Sequence, residues 1–272
     1  MELRFWGVRG SIPAPGPDTV IFGGNTACIE VRPSGGEVIV IDGGTGIRNL
    51  GAALAKEFPG PVSPHVLLTH FHWDHIQGIP FFAPLLSPSN EVTFYSGFPA
   101  ARTREVLEAQ MRGPYFPVPF SRLAARRHVA EVGATPLRIG SATVRAFAMH
   151  HPQGAWGYRI EADGAVLVHA CDAEHGDPDL DGVLRQAAEG ADVLIYDSQY
   201  TPEEYEARRG WGHSTWLHAT RLAREAGVGR LLLFHHDPDR DDAGVARIEV
   251  AARGEFARTD AAREGMIVTT SQ

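Results

Sequence analysis

Three histidines and an aspartate lie close together in the segment His-Phe-His-Trp-Asp-His, which begins at His70. The segment directly follows an apolar run, Val66 to Thr69, that predicts a buried β-strand. Imidazole nitrogens and carboxylate oxygens are ligands for zinc, manganese or iron. His70 and His72 could therefore share one ion, while Asp74 and His75 could serve a second. The alternative is a histidine-rich surface loop, but thirteen histidines in 272 residues do not favour so dense a cluster by chance.

Apolar, β-rich runs alternate with helical ones along the chain. Strands are predicted at Met1–Val8, Thr26–Arg32, Glu37–Ile41, Val66–Thr69, Val92–Tyr95, Thr143–Met149, Trp156–Glu161, Ala165–His169, Val193–Tyr196 and Arg230–Phe234. Helices are predicted at Ile47–Glu57, Ala101–Met111, Leu180–Glu189, Thr215–Ala226 and Asp242–Phe256. Two β-then-α halves favour two sheets with helices outside. Because no linker divides them, we expect one domain over residues 1–272, with a lid or insert around 97–130.

Two irregular segments permit more than one interpretation. The glycines of Gly43–Gly46 could cradle a phosphate, but their spacing matches neither a P-loop nor a dinucleotide fingerprint, which favours a tight strand-to-helix turn. Three prolines within Gly113–Phe120 exclude a helix or a central strand. The aromatic residues there either line a substrate pocket or anchor the loop to the core.

Composition limits the classes of function. Hydrophobic residues make up 43% of the chain, enough for a sizeable core, and the net charge of −8 provides no global basic field for nucleic acid. No apolar run is long enough to span a membrane, and the N-terminus lacks a signal pattern. Two cysteines without a Cys-x-x-Cys motif argue against a disulfide framework and a thiolate metal site. We expect a cytoplasmic enzyme without membrane partners, and a homodimer is left open.

The histidine-rich segment resembles the signature motif of the metallo-β-lactamase fold. Phe5–Pro13 and Gly23–Thr26 are similar to the start of its phosphodiesterase branch, which includes tRNase Z and the cyclic-phosphate phosphodiesterases. The resemblance implies an α/β (α+β) four-layer αβ/βα sandwich, in which helices flank two mixed β-sheets. It also implies a two-metal site at one edge.

The same resemblance implies further ligands at strand ends in the second half. His151 is favoured over His150 because it comes just before the turn into a Gly-Tyr-x-Ile strand, and Asp172 resembles the carboxylate that bridges both metals. His235 directly follows an apolar run, with His236 as the alternative.

The implied site contains two divalent ions, zinc first, with manganese or iron as alternatives. The first ion is assigned to His70, His72 and His151, the second to Asp74, His75 and His235, and the bridge to Asp172. Asp42 resembles the family aspartate that braces the metal loop from behind without binding metal. Four positive charges against two carboxylates leave a net positive site, which suits a small anionic phosphoester.

The segment Trp211–Thr215 resembles the branch's proton donor motif. His213 would protonate the leaving alkoxide, and such proton donation raises the reaction rate about 10²–10⁴-fold. Asp197 matches the acidic partner of this histidine. The predicted catalytic set is therefore His213, Asp197 and Asp74. Alternatively, His213 is an ordinary surface residue beside a helix cap made by Ser214 or Thr215.

The resulting hypothesis is a metal-dependent phosphodiesterase acting on a small cyclic phosphate or cyclic nucleotide. Nucleic acid is not expected as a partner because the long basic arm of tRNase Z has no counterpart, and Arg122–His128 is interpreted as a solvated face or a phosphate clamp. One alternative is a non-hydrolytic di-iron protein that binds or senses oxygen, although such relatives usually carry glutamate where this chain has His72. The other is a lactonase-type hydrolase.

Overall fold

The computed structural model describes residues 1–270 and contains fourteen β-strands and seven α-helices in that range. The strands are β1 (Glu2–Gly7), β2 (Cys28–Arg32), β3 (Ile39–Ile41), β4 (His65–Leu68), β5 (Glu91–Ser96), β6 (Arg126–Glu131), β7 (Leu137–Ile139), β8 (Ala142–Met149), β9 (Ala155–Ala162), β10 (Ala165–Ala170), β11 (Val193–Asp197), β12 (Arg230–Phe234), β13 (Thr259–Ala261) and β14 (Ile267–Thr269). The helices are α1 (Gly46–Glu57), α2 (Trp73–Ile76), α3 (Ala100–Gln110), α4 (Pro178–Ala188), α5 (Pro202–Glu206), α6 (Trp216–Glu225) and α7 (Asp242–Glu255).

The strands form two seven-stranded mixed sheets. The first has the order β14-β1-β2-β3-β4-β5-β6, and the second has the order β13-β12-β11-β10-β9-β8-β7. In the first sheet β3 to β6 run parallel, and in the second β10 to β13 do. The carboxyl ends of parallel strands lie at one edge of a sheet, where side chains from neighbouring strands can meet.

Three hydrophobic clusters define four layers. The central one joins the facing sides of the sheets, with Phe5 and Leu67 from the first and Tyr158 and Ile195 from the second. A second cluster packs α1 and α3 on the outer face of the first sheet. A third packs α4, α6 and α7 on the second sheet. The predicted four-layer sandwich with helices outside two mixed sheets is confirmed.

The five predicted helices correspond to α1, α3, α4, α6 and α7, and the predicted strands lie close to strands of the two sheets. The short helices α2 and α5 were not predicted. Nor were the four strands at the sheet edges, β6, β7, β13 and β14. The first of these runs through the arginine-rich segment that was interpreted as a solvated face or a phosphate clamp. Within it, Arg126 pairs with Glu91, and Arg127 donates hydrogen bonds to the carbonyl oxygens of Leu123 and Ala125. These local contacts occupy both guanidinium groups.

The Gly43–Gly46 and Gly113–Phe120 segments are built differently. The first turns β3 into α1, and a Cβ on Gly44 would lie 2.3 Å from the carbonyl oxygen of Asp74, so glycine permits this close approach. In the second, Phe120 is buried and packs on Phe94, while Tyr115 is 71% exposed. The second loop is thus partly anchored to the core.

The single domain predicted for residues 1–272 extends past the described range, since residues 271–272 lie outside it. Within that range no helix combines the length and the apolar character needed to cross a membrane. The predicted lid around 97–130 contains α3 and the loop that follows it.

Candidate metal and catalytic centre

The candidate site lies where several strands of both sheets end. Asp42 follows β3, His70 closely follows β4, Asp172 closely follows β10, Asp197 ends β11 and His235 follows β12. Asp42, Asp172 and His235 all have positive φ angles, between 59° and 63°. Left-handed backbone at a residue other than glycine is uncommon and concentrates at functional sites.

One ring nitrogen of His70 faces the site and has no hydrogen-bond partner within residues 1–270. Its Nδ1 lies 3.1 Å from Thr69 Oγ1, whose hydroxyl lies within hydrogen-bond distance of Asp42. If that hydroxyl donates to the carboxylate, its lone pair accepts the Nδ1–H of His70, which leaves a lone pair on Nε2. His70 Nε2 is buried and has no hydrogen-bond partner within residues 1–270.

His72 and His151 complete a group in which the three histidine ligand atoms lie within 4.8 Å of one another. The Nδ1–H of His151 points to the carbonyl oxygen of Gly212 at 2.8 Å, and His72 Nε2 lies 3.3 Å from Gln153 Oε1. His151 Nδ1 and His72 Nε2, which face away from the site, are therefore donors. The other two nitrogens, His151 Nε2 and His72 Nδ1, lie 3.2 Å apart and face each other with lone pairs. A Cβ on Gly212 would lie 2.2 Å from His151 Nδ1, so the close approach of this loop requires glycine.

A second group contains His75, His235, Asp74 and Asp172. The Nδ1–H of His75 points to Asp42 Oδ2 at 2.7 Å, whereas His235 Nδ1 lies 2.9 Å from Gln199 Oε1. The two Nε2 atoms are only 3.3 Å apart. Both also lie within 3.3 Å of the Oδ2 atoms of the two carboxylates.

Asp172 lies between the two groups. Its Oδ2 is 3.0 Å from His75 Nε2, while its Oδ1 is 3.9 Å from His70 Nε2 and 3.8 Å from His151 Nε2. Five imidazole rings and two carboxylates thus converge, and this set of nitrogen and oxygen donors suits divalent cations. The residues present therefore fit two divalent ions.

The charges of the site shift several pKa values. Burial lowers the pKa of His70 well below its ordinary value. Burial acts in the same direction on His75, but Asp74, Asp172 and Asp42 outweigh it and raise the His75 pKa well above the ordinary value. Burial would raise the pKa of Asp172, yet the surrounding histidines, His235 first, hold it well below the ordinary value. The carboxylates thus remain ionised and attract positive charge.

His213 stands beside the second group. Its Nδ1 lies 2.9 Å from Asp197 Oδ2, and its ring stacks on that of His235 with centroids 5.0 Å apart. Asp197 also accepts the backbone N–H groups of Gln199, Ser214 and Asp172, at 3.1, 3.2 and 3.2 Å. Burial opposes the charged imidazole, but Asp197 outweighs it and raises the pKa of His213 to about 9. Within residues 1–270, all hydrogen bonds of the His213 ring are made through Nδ1.

Several neighbouring residues take roles outside the ligand groups. His236 Nε2 donates to the carbonyl oxygen of Ala262 at 2.8 Å, and His150 belongs to neither group. The backbone N–H of His218 donates to Thr215, the N-cap of α6. Cys171 differs from these residues, because its Sγ lies in one candidate ligand group with His75, Asp172 and His235, 3.0 Å from Asp172 Oδ2. Burial raises the pKa of its thiol well above the ordinary value.

Sequence reasoning missed Glu174, a buried carboxylate. It accepts the backbone N–H groups of Gly210 and Gly212, at 2.6 and 2.8 Å, and the Tyr205 hydroxyl at 3.1 Å. These contacts fix the loop that supplies the carbonyl acceptor of His151. The signal available in the sequence was an acid two residues after Asp172, on the same ligand-bearing loop.

Comparisons with known proteins agree with this architecture. A model of the beta-lactamase superfamily domain matches residues 37–236. The chain is 27% identical to a ribonuclease Z from Lacticaseibacillus casei, over 97% of this chain and 93% of that protein. The metallo-beta-lactamase fold protein YhfI from Bacillus subtilis superposes with a TM-score of 0.74 at 22% identity, covering 98% of both chains. A diphosphatase from the PhnP family superposes with a TM-score of 0.72 at 17% identity, covering 99% of this chain and 98% of that chain.

Proposed function

The chain belongs to the beta-lactamase superfamily, and we propose that it is a dinuclear metal-dependent hydrolase that cleaves phosphodiesters. The observation that carries this proposal is the convergence of imidazole and carboxylate groups described above, with each imidazole anchored through its outer nitrogen. Two divalent ions, zinc first, with manganese or iron as alternatives, would supply Lewis acidity that activates a water and stabilises an anionic oxygen.

The distances between the side chains suggest how they would share two ions. His70, His72 and His151 would hold the first ion and Asp74, His75 and His235 the second, while Asp172 lies between the two groups. Asp42 and Gln199 fix the orientation of the two rings in the second group through their Nδ1 atoms. Such outer contacts set which nitrogen carries the proton and keep the other free for metal.

His213 is assigned as the proton donor to the leaving oxygen. Its Nδ1 is committed to Asp197, so Nε2 is the atom that can reach a substrate. Asp197 is itself held by three backbone N–H groups, which prevents it from rotating away from the imidazole. The pair orients a proton donor beside the second ligand group, where a leaving alkoxide needs one.

A small cyclic phosphate or cyclic nucleotide is the first candidate substrate. Two divalent ions against two carboxylate ligands leave a positive centre, which favours a phosphodiester over a neutral ester such as a lactone. The di-iron alternative is disfavoured because His72, where such relatives usually carry glutamate, has its imidazole in the first ligand group.

RNA is the second candidate, because the relative from Lacticaseibacillus casei is named ribonuclease Z and is matched along nearly its whole length. The expectation that nucleic acid is not a partner therefore lacks support. The net negative charge of the chain and the lack of a long basic arm bear on how tightly RNA would bind. They do not bear on the cleavage of a phosphodiester bond.

The test is a substrate screen with zinc-loaded protein of measured metal content. The substrates are bis-p-nitrophenyl phosphate, 2′,3′- and 3′,5′-cyclic nucleotides, an RNA with a 3′ extension and a lactone. His72→Ala should abolish the hydrolysis of every diester, whereas His128→Ala, on the exposed edge strand β6, should leave it unchanged. Hydrolysis of the lactone alone, or no hydrolysis by protein that holds two ions, would contradict the proposal.

A further inference from the structure

A guanidinium group lies at the rim of the first ligand group. Arg102, in the first turn of α3, stacks over the ring of Phe98 at 4.3 Å from Cζ to the ring centroid. Phe71, between two ligand histidines in the sequence, lies on another side at 5.8 Å. The two rings are 5.1 Å apart and pack on each other, so the guanidinium lies against an aromatic pair that joins the metal loop to the start of α3. Stacking on aromatic faces orders an arginine side chain before any ligand binds.

Arg102 lines one small cavity together with His70 and His72 of the first ligand group. The far wall of that cavity is formed by Pro152, Gln153 and Gly154, the turn that follows His151. A substrate placed with its diester on the ligand groups would therefore extend a neighbouring part of its structure toward this guanidinium.

Arg102 is exposed, and its donors form no hydrogen bond or ion pair with residues 1–270. By comparison, Arg126 pairs with Glu91, Arg230 with Asp260, and Arg240 with Glu204. A guanidinium ordered by two rings, with its donors free beside a cavity, is built to bind an anion, and the planar fork suits phosphate oxygens.

We propose that Arg102 determines specificity by binding a second phosphate group of the substrate, separate from the diester that is cleaved. This inference rests on the proposed function, since it assigns the position of the diester to the ligand groups. Phe71 and Phe98 act as positioning residues, because they hold the guanidinium without contacting the phosphate. The preferred substrate would be a small phosphodiester that also carries a phosphate monoester.

The test compares two substrates that differ only in that phosphate, a nucleoside 2′,3′-cyclic phosphate with and without a 5′-phosphate. Wild type should have the lower KM for the 5′-phosphorylated compound. Arg102→Met, which keeps the apolar stem, should raise that KM about ten-fold, the size of one exposed charge-assisted contact, with kcat unchanged. The KM for the compound lacking the 5′-phosphate should stay the same, and Arg102→Lys should restore part of the preference.

Arg104→Met is the matched control, because Arg104 is exposed on the same helix and does not line the cavity. Equal KM changes on both substrates, or an equal effect of Arg104→Met, would overturn the proposal.

A second readout keeps the inference separate from the proposed function. Calorimetric binding of nucleoside 3′,5′-bisphosphate and 3′-monophosphate to the zinc-loaded protein measures the contribution of the 5′-phosphate without turnover. If neither cyclic phosphate is hydrolysed, the proposed function fails, but a preference for the bisphosphate that is lost in Arg102→Met still supports the phosphate site. No preference in wild type contradicts it.

Discussion

Replacing His213 with alanine should slow the cleavage of diesters in proportion to how much their leaving groups need a proton. His213 lies outside the assigned metal ligands, and its Nδ1 is held by Asp197 at 2.9 Å. Removal of a positioned general acid costs about 10²–10⁴-fold in rate when the leaving group is an alkoxide. That corresponds to about 3–5 kcal/mol of transition-state stabilisation. Because its own acceptor fixes the ring, we expect a loss in the upper half of this range for a cyclic nucleotide.

The assay measures kcat on a cyclic nucleotide and on bis-p-nitrophenyl phosphate, for wild type and His213→Ala. Nitrophenolate leaves without protonation, so the loss on that substrate should be about ten-fold or less. The ratio of the two losses cancels any general damage to the fold. Asp197→Asn should show the same preference more weakly, and should cost about 1–3 kcal/mol of folding stability because an amide cannot accept all the N–H groups that the carboxylate accepts.

Equal losses on the two substrates, with both metals still bound, would refute the role of His213 as proton donor. The residue would then be a binding group beside the second ligand group. Loss of metal in His213→Ala would instead place His213 among the ligands, bound through its Nε2, since its Nδ1 is held by Asp197. Metal analysis of each variant therefore accompanies the kinetics.

Three further predictions concern the metal site. His72→Ala should bind fewer than two ions per chain by elemental analysis, since it removes one of three imidazoles from the first group; two retained ions would contradict the assignment. Asp42→Asn should weaken zinc binding about 10–100-fold in a chelator competition, because Asp42 accepts from both His75 and Thr69 and an amide has only one oxygen to accept with; unchanged affinity would remove Asp42 from the site. Zinc at 100 times the Kd of both sites should raise the Tm of the metal-free protein by roughly 10–20 °C in calorimetry, since only the folded chain brings the ligand groups together; no shift would mean that the fold lacks a preformed site.

The sequence predicted the elements whose patterns are local. Central strands such as β4 and β11 consist mostly of apolar residues. The polar residues His70 and Asp197 lie at the ends of these strands, where the parallel arrangement brings them together. The edge strand β6 was missed because it begins with three consecutive basic residues, Arg126 to His128, which are equally compatible with a solvated surface. Its strand pairing comes from β5, a contact that no local pattern reveals.

The residues that support the candidate ligands carry less signal in the sequence than the candidate ligands do. Gln199 and Glu174 have ordinary sequence surroundings, and their roles arise only when distant loops meet: Gln199 faces His235, and Glu174 holds the backbone of Gly212. The choice between His235 and His236 also depended on the fold. A positive φ after β12 turns His235 toward the site, and the next side chain points back to the carbonyl oxygen of Ala262.

A zinc titration of metal-free protein, followed by bound metal and by diesterase rate in the same samples, tests directly whether the site is dinuclear and hydrolytic. We expect two ions to bind per chain and hydrolysis of bis-p-nitrophenyl phosphate to rise with occupancy to a maximum at two equivalents. A protein that reaches full rate without metal, or that fills both sites and hydrolyses no phosphodiester, would contradict this expectation.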